Sequence, residues 1–113
     1  MSQSRPAPGD LIDVRPLGDG LVDTASIALA RSNDFEVMRL ILPKGKSIPE
    51  HRVAGELTLQ CLEGMVEVQA LDRTQHLQAG HMLYLEGNTP YALYAPENAS
   101  VLMTVVRKDN MKG

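Results

Sequence analysis

The sequence predicts an all-β fold, a small barrel or sandwich built from short strands. Apolar runs of four to eight residues follow one another along the 113-residue chain, and clusters of Gly, Pro, Asn and Asp separate them at even spacing. Such spacing is typical of all-β sandwiches and barrels. The stretch between Gly20 and Pro43 is interrupted by Asn33-Asp34 and is rich in β-favouring residues, which leaves little room for a helix.

Each predicted strand is an apolar run bounded by turn-forming residues. Turn clusters at 18–20, 32–34 and 43–45 separate the first four strands, and Glu63-Gly64, Ala79-Gly80, Gly87-Asn88 and residues 96–98 punctuate the rest. The predicted strands are Leu11–Val14, Thr24–Ala30, Phe35–Leu42, Glu56–Leu62, Met65–Leu71, Thr74–Leu77, Met82–Leu85, Tyr91–Tyr94 and Ser100–Val106.

Length and composition favour one domain with one hydrophobic core. We expect a loose arm over residues 1–9, a barrel over 10–107 and a polar tail over 108–113. The net charge of −3 comes without a basic run, so no nucleic-acid partner is expected. No stretch is apolar enough to cross a bilayer and no signal-peptide pattern is present; together with the single cysteine, Cys61, this favours a cytoplasmic protein.

One strand carries a charge among apolar residues. Along Glu36–Leu42, Val37, Arg39 and Ile41 share a face because side chains alternate, and Met38, Leu40 and Leu42 share the other. Both faces are therefore expected to be covered, and a buried guanidinium needs a partner. Arg39 is expected to pair with a nearby Glu or to reach the barrel rim. The alternative is that it holds an anion in a pocket.

Two segments carry a recognisable pattern. Residues 45–64 read GKSIPEHRVAGELTLQCLEG, and residues 80–95 read GHMLYLEGNTPYALYA. The first resembles the cupin motif G-x5-H-x-H-x3-4-E-x6-G, and the second resembles G-x5-P-x-G-x2-H-x3-N. The glycines, their spacing and the short segment between the motifs all fit. The resemblance implies a double-stranded β-helix, or jelly-roll barrel, of the cupin (RmlC-like) type.

The resemblance also implies a divalent transition metal held by two His and a Glu of the first motif and one His of the second. Imidazole and carboxylate ligands suit such metals. Here the first His is His51, but the second falls on Val53, the Glu on Leu57 and the last His on Tyr91. No metal is therefore expected; if one binds, its ligands are His51, Glu56 and Tyr91.

Strand alternation predicts what replaces the metal site. If Leu57, Leu59 and Cys61 point inward, Glu56 points away unless a bulge re-aims it. The predicted ligand pocket is thus apolar with a few polar groups, and its residues are His51, Tyr91, Arg39, Val53, Leu57, Leu59, Cys61 and Leu93.

The polar candidates each have a structural alternative. His51 is either a site residue or a hydrogen-bonded strand residue, and Tyr91 either fills the cavity as a plug or takes part in chemistry. Cys61 is expected to line the pocket without acting as a nucleophile. His76 and His81 are expected to be exposed surface residues. No phosphate loop, G-x-S-x-G elbow or CxxC pair is present.

Three functions stay open from the sequence. The first, which the missing ligands and the apolar pocket favour, is a non-catalytic, metal-free cupin that binds a small, partly apolar molecule in the barrel. The second is an enzyme: a metal-dependent dioxygenase or isomerase with Gln60 as a possible helper, or a metal-free acid–base enzyme using His51 and Tyr91. The third is a scaffold or interaction module whose barrel is filled by side chains. A homodimer is also expected, with the N-terminal arm or an edge strand pairing across the interface.

Overall fold

The computed structural model describes residues 6–107, and these form two antiparallel β-sheets preceded by a 3₁₀ helix at Gly18–Asp23. The all-β prediction is confirmed, since strands make up 52% of the described residues. In this part of the chain the strands are β1 (Ile27–Arg31), β2 (Phe35–Leu42), β3 (Ser47–His51), β4 (Leu57–Glu63), β5 (Met65–Ala70), β6 (Arg73–Gln78), β7 (Met82–Leu85), β8 (Tyr91–Tyr94) and β9 (Ala99–Val106).

The two sheets are built largely from strands that are far apart in the sequence. The larger sheet has the order β1-β2-β9-β4-β7, and the smaller has the order β3-β8-β5-β6. The inward side chains of both sheets form one apolar cluster, so the sheets pack face to face. The residues of this cluster are Leu42, Leu57, Leu59, Cys61, Val66, Val68, Leu77, Leu85, Tyr91, Leu93, Ala95, Val101 and Met103. This is the jelly-roll arrangement that the sequence predicts.

Most predicted strands match the observed ones. β2, β7 and β8 have the predicted bounds, and β4, β5, β6 and β9 differ from them by one residue at one or both ends. These strands have clear alternation and are bounded by Gly or Pro, which is why their ends could be predicted.

Three predictions near the N-terminal half are wrong. Leu11–Val14 is not a strand, and Leu11 is almost fully exposed there. The strand predicted at Thr24–Ala30 begins at Ile27, after the 3₁₀ helix. β3 was not predicted because it contains Pro49; as an edge strand paired only with β8, it tolerates a residue that lacks an N–H.

Both faces of β2 are covered, as expected from its apolar character. Met38 and Leu40 pack against the core cluster, whereas Arg39 and Ile41 are buried on the opposite face. The 3₁₀ helix contacts β2, and its Leu21 is fully buried. The segment before β1 therefore acts as a cover for the outer face of the larger sheet.

The structure explains why the first motif ends in a glycine. Gly64 has a φ of +74°, and a Cβ placed on it would overlap the carbonyl oxygen of Asn98. Only glycine combines that φ with so close an approach at no steric cost. The motif glycine thus allows the β4–β5 turn to pack against the start of β9.

No helix in the part of the chain that the structure describes is long and apolar enough to cross a membrane. Residues 1–5 of the predicted arm and the predicted tail at 108–113 lie outside the described residues.

Candidate functional site

His51 and Tyr91 meet at the mouth of the barrel. His51 ends β3 and Tyr91 begins β8, and the register of these two strands pairs the residues directly. Their ring centroids lie 4.6 Å apart at an interplanar angle of 48°. The imidazole is exposed, and its Nδ1 lies 3.1 Å from the carbonyl oxygen of Pro49. The two polar residues picked out by the sequence are therefore brought together.

Tyr91 fills the interior rather than lining an opening. Its side chain is 1% exposed, and its hydroxyl donates a hydrogen bond to the Sδ of Met103 at 3.5 Å, on the facing sheet. Burial raises the pKa of the Tyr91 hydroxyl. A neutral phenol bonded to a thioether is a poor proton donor or acceptor at neutral pH. The geometry thus matches a plug better than half of an acid–base pair.

The apolar residues assigned to the pocket belong to the core. Leu57, Leu59 and Cys61 alternate inward along β4, and Leu93 joins them from β8. Val53 packs against this cluster from the loop after β3. Burial raises the pKa of the Cys61 thiol, whose Sγ donates to the carbonyl oxygen of Glu63 at 3.4 Å. These side chains pack against one another and against Tyr91, so they act as core.

Glu56 lies on the outside of the barrel. Its Oε2 accepts a hydrogen bond from the hydroxyl of Tyr84 at 3.1 Å, and both side chains are exposed. That hydrogen bond raises the pKa of Tyr84. The structure therefore does not bring Glu56 to His51 and Tyr91.

The residues at the family's four ligand positions do not fit a metal ion. Besides His51, these positions hold an apolar Val53, a buried Leu57 and a phenol already bonded to Met103. Within residues 6–107, no group of three or more His, Cys, Asp or Glu lies close enough together to hold an ion. We therefore derive no chemical step through a metal.

Arg39 does not belong to the interior pocket, and its assignment there is corrected. Its side chain leaves β2 on the outer face, where the Nη2 donates to the carbonyl oxygen of Arg15 at 2.7 Å. The same nitrogen lies 3.2 Å from both the Glu63 carboxylate and the Ser100 hydroxyl. Strand alternation is the reason, because the inward positions of β2 are Met38, Leu40 and Leu42. Arg39 thus forms a structural ion pair, the first of the alternatives considered from sequence.

Glu63 is the centre of this outer network, a role that no pattern in the sequence indicated. Its carboxylate accepts hydrogen bonds from the amides of Leu17 and Gly18 and from the Ser100 hydroxyl, at 2.7 to 3.1 Å. Partial burial raises the pKa of Glu63, but these hydrogen bonds and the Arg39 charge outweigh it, so the pKa is lowered overall. Glu63 therefore fastens the N-terminal segment to the larger sheet.

Replacing Glu63 with Gln is expected to lower the free energy of unfolding by about 3 kcal/mol at pH 7, because the buried Arg39 loses its countercharge. A group whose pKa is lowered by folding contributes stability above its unfolded pKa of about 4.3 and loses it as the pH falls through the lower folded value. The difference between wild type and Glu63→Gln should therefore shrink in acid. Urea unfolding at pH 7 and pH 3 measures it.

Glu67→Gln is the matched control, since Glu67 lies on the outer face of β5 beside His76, with 3.5 Å between the Glu67 Oε2 and the His76 Nε2. It should change stability by less than about 1 kcal/mol. Equal stability of the Glu63→Gln and Glu67→Gln variants at pH 7 would contradict the role given to Glu63.

Several clefts lie outside the barrel interior. One, of about 550 Å³, lies between the β5–β6 hairpin and the segments next to His51 and Tyr91; it is lined by Glu50, Gln69, Ala70, Leu71, Asp72, Arg73, Thr74, Thr89 and Pro90. A second, of about 70 Å³, is more apolar and is lined by Val68, Ala70, Leu71, Arg73, Gln75, Leu83, Tyr84 and Leu85. The first is mostly polar and open, and the second is too small for a drug-sized molecule.

No protein-family model matches the sequence, and no curated protein matches it. Several solved structures resemble this chain in fold over most of its length. A cupin superfamily protein from Desulfitobacterium hafniense has a TM-score of 0.72 at 20% identity, covering 85% of this chain and 94% of that one. An RmlC-like cupin from Shewanella frigidimarina has a TM-score of 0.70 at 16% identity, covering 96% of each chain. The chain has the cupin fold.

A conserved protein of unknown function from Streptococcus pyogenes is also similar, with a TM-score of 0.72 at 23% identity over 95% of this chain and 96% of that one. At such identities the likeness establishes the cupin fold, as the two sequence motifs predicted. Activity has to be argued from the site, because one fold carries many functions.

Proposed function

We propose that this small cupin is a metal-independent binding module that makes its contacts on the outside of a filled barrel. The observation that carries the proposal is Tyr91, which stands where the family has its second-motif His and is 1% exposed. Its ring and the residues around it take up the space that a substrate would need. This is the interaction-module alternative left open by the sequence, and the packed interior favours it over a ligand inside the barrel.

We also propose that the protein carries out no metal-dependent catalysis. A functional metal site keeps three or four protein ligands together and leaves a position open for substrate. Here one imidazole at the mouth is followed inward by Val53, Leu57 and Tyr91, and Glu56, the carboxylate next to the motif position, is bonded to Tyr84 outside. The proposed location is the cytoplasm, which suits the buried free thiol of Cys61.

Metal loading tests this proposal. An ion that binds the native state raises the melting temperature, because binding to the folded form alone adds to stability. We expect iron(II), manganese(II), zinc or nickel in excess to leave the thermal unfolding of the wild type and of His51→Ala equally unchanged. A rise of several degrees in the wild type that is lost in His51→Ala would contradict the proposal.

Small-molecule binding is the second candidate, and the cleft of about 550 Å³ favours it. The volume falls in the range of ligand pockets, and Glu50, Asp72 and Arg73 offer both signs of charge. Such a ligand would sit at the rim beside His51 and not inside the barrel. NMR shifts from a fragment library that cluster at Arg73 and Thr89 would support this candidate over the first.

A further inference from the structure

The outer faces of the two sheets differ in how their polar side chains are used. On the larger sheet, Arg39 and Glu63 bond to the backbone of the N-terminal segment and hold it against that face. On the smaller sheet, the outward polar side chains that have no hydrogen-bond partner among residues 6–107 include Ser47, Gln69, Thr74 and Tyr94. This second face therefore keeps donors and acceptors available for a ligand.

The strand registers place these side chains in two adjacent rows. One row crosses all four strands of the smaller sheet, and its members are Ser47, Tyr94, Glu67 and His76. In the next row Ala92, Gln69 and Thr74 face outward from β8, β5 and β6. Because the ladders fix the position of each Cβ atom, these groups keep their spacing whether or not a ligand is bound.

A depression runs along this outer face. Ala92 lies two residues from Tyr94 on β8, so a small side chain sits beside an aromatic ring. A cleft of about 390 Å³ lies at this point, and Gln69 lines both it and the cleft of about 550 Å³ that reaches the β5–β6 hairpin. Together they form one groove, the β5 trough, which follows β5 from Glu67 to Leu71 over about 13 Å.

The chemistry of the β5 trough suits a sugar. Tyr94 is 39% exposed, so part of its ring offers an apolar platform on which the C–H groups of a pyranose can pack. A sugar hydroxyl donates and accepts hydrogen bonds at once, and it therefore pairs well with amide, carboxylate and hydroxyl side chains. Gln69, Glu67 and Thr74 supply one of each along the trough.

Charge narrows the class of sugar. Among the described residues that line the β5 trough, three carry carboxylates, Glu50, Glu67 and Asp72, and one, Arg73, carries a guanidinium. This excess of negative charge repels an anionic ligand and has no such effect on an uncharged one. Uncharged sugars therefore fit the trough better than sugar acids.

We propose that the β5 trough binds a short, uncharged oligosaccharide, with one sugar ring packed on Tyr94 and neighbouring rings bonded to Gln69 and Thr74. This inference rests on the proposed outer-surface function and names its ligand class. The two fail separately, because metal loading tests whether the barrel is filled and sugar binding tests the trough.

NMR titration of the full chain with cellotetraose tests the proposal, since the extended, flat shape of this sugar suits the surface of a sheet. Millimolar cellotetraose should shift the backbone amides of Gln69, Ala92 and Tyr94. Tetragalacturonate, which is anionic, should bind about tenfold more weakly or worse. No shift at these amides, equal affinity for the anionic sugar, or shifts confined to Arg73 and Thr89 would overturn the proposal.

Substitutions at the platform test the role of the ring. Tyr94→Ala should weaken cellotetraose binding about tenfold or more, whereas Tyr94→Phe, which keeps the ring, should bind within about threefold of the wild type. Ala92→Leu should also weaken binding, because it fills the depression beside the ring. Tyr84→Ala is the matched control, an exposed tyrosine on the outer face of the larger sheet, and should bind like the wild type.

The spectra of the same titrations show whether each variant is folded, so a loss of binding is read only from folded protein. Unchanged binding by Tyr94→Ala, or an equal loss in Tyr84→Ala, would overturn the assignment of the β5 trough.

Discussion

Tyr91→Ala is expected to lower the free energy of unfolding by about 4 kcal/mol, because it removes a fully buried aromatic ring from the centre of the barrel. The residues around the ring come from both sheets and include Met103, which also loses a hydrogen bond. Strands held in two ladders cannot collapse far into the space that is left. The variant should therefore keep a cavity shaped like the missing phenol.

Urea unfolding measures the loss, and Tyr91→Phe is the control that keeps the ring. Because Tyr91→Phe removes only the weak bond to the Met103 sulfur, it should cost less than about 1 kcal/mol. Phenol at millimolar concentration should raise the melting temperature of Tyr91→Ala and leave the wild type unchanged. An alanine variant as stable as Tyr91→Phe, or a wild type stabilised by phenol, would show that the interior is not filled.

Introducing the ligands of the cupin motifs is expected to create a metal site in the barrel. The combined variant Val53→His, Leu57→Glu and Tyr91→His completes, with His51, the set that the motif resemblance implies. Without metal it should be several kcal/mol less stable than the wild type, because Leu57 is buried and its replacement puts a carboxylate into the core. A transition metal should recover part of this loss, by about 2.7 kcal/mol at 100 times its dissociation constant.

Thermal unfolding with and without zinc or nickel measures the recovery. The control adds His51→Ala to the three substitutions, which removes one ligand of the restored set. We expect that control to need an at least tenfold higher metal concentration for the same rise in melting temperature. If the combined variant binds no metal although it folds, then the barrel differs from metal-binding cupins in more than the identity of these residues.

Local signals in the sequence predicted most of the strands, and long-range packing decided the rest. β2, β7 and β8 have clear alternation and turn residues at both ends. Residues 11–14 have similar apolar character but find no strand partner in the described chain, so they run beside the sheet and are fastened through Arg15 and Leu17. Pairing partners far away in the sequence cannot be read from one strand alone.

The candidate site could be predicted in its composition but not in its packing. Alternation placed Leu57, Leu59 and Cys61 inward and Glu56 outward, and the structure has the same arrangement because β4 carries no bulge there. Whether Tyr91 lines a cavity or fills it depends on the distance between the sheets, which no sequence pattern gives. The sequence predicted that Arg39 pairs with a Glu but not which one, because 24 residues separate Arg39 from Glu63.

Elemental analysis of the wild-type protein, purified without chelators or an affinity tag, tests the central claim most directly. The filled barrel described here is expected to carry less than about one tenth of an equivalent of iron, manganese, zinc or nickel, and to retain none after loading and dialysis. Close to one equivalent of a transition metal, lost in His51→Ala, would contradict the claim and make His51 a metal ligand.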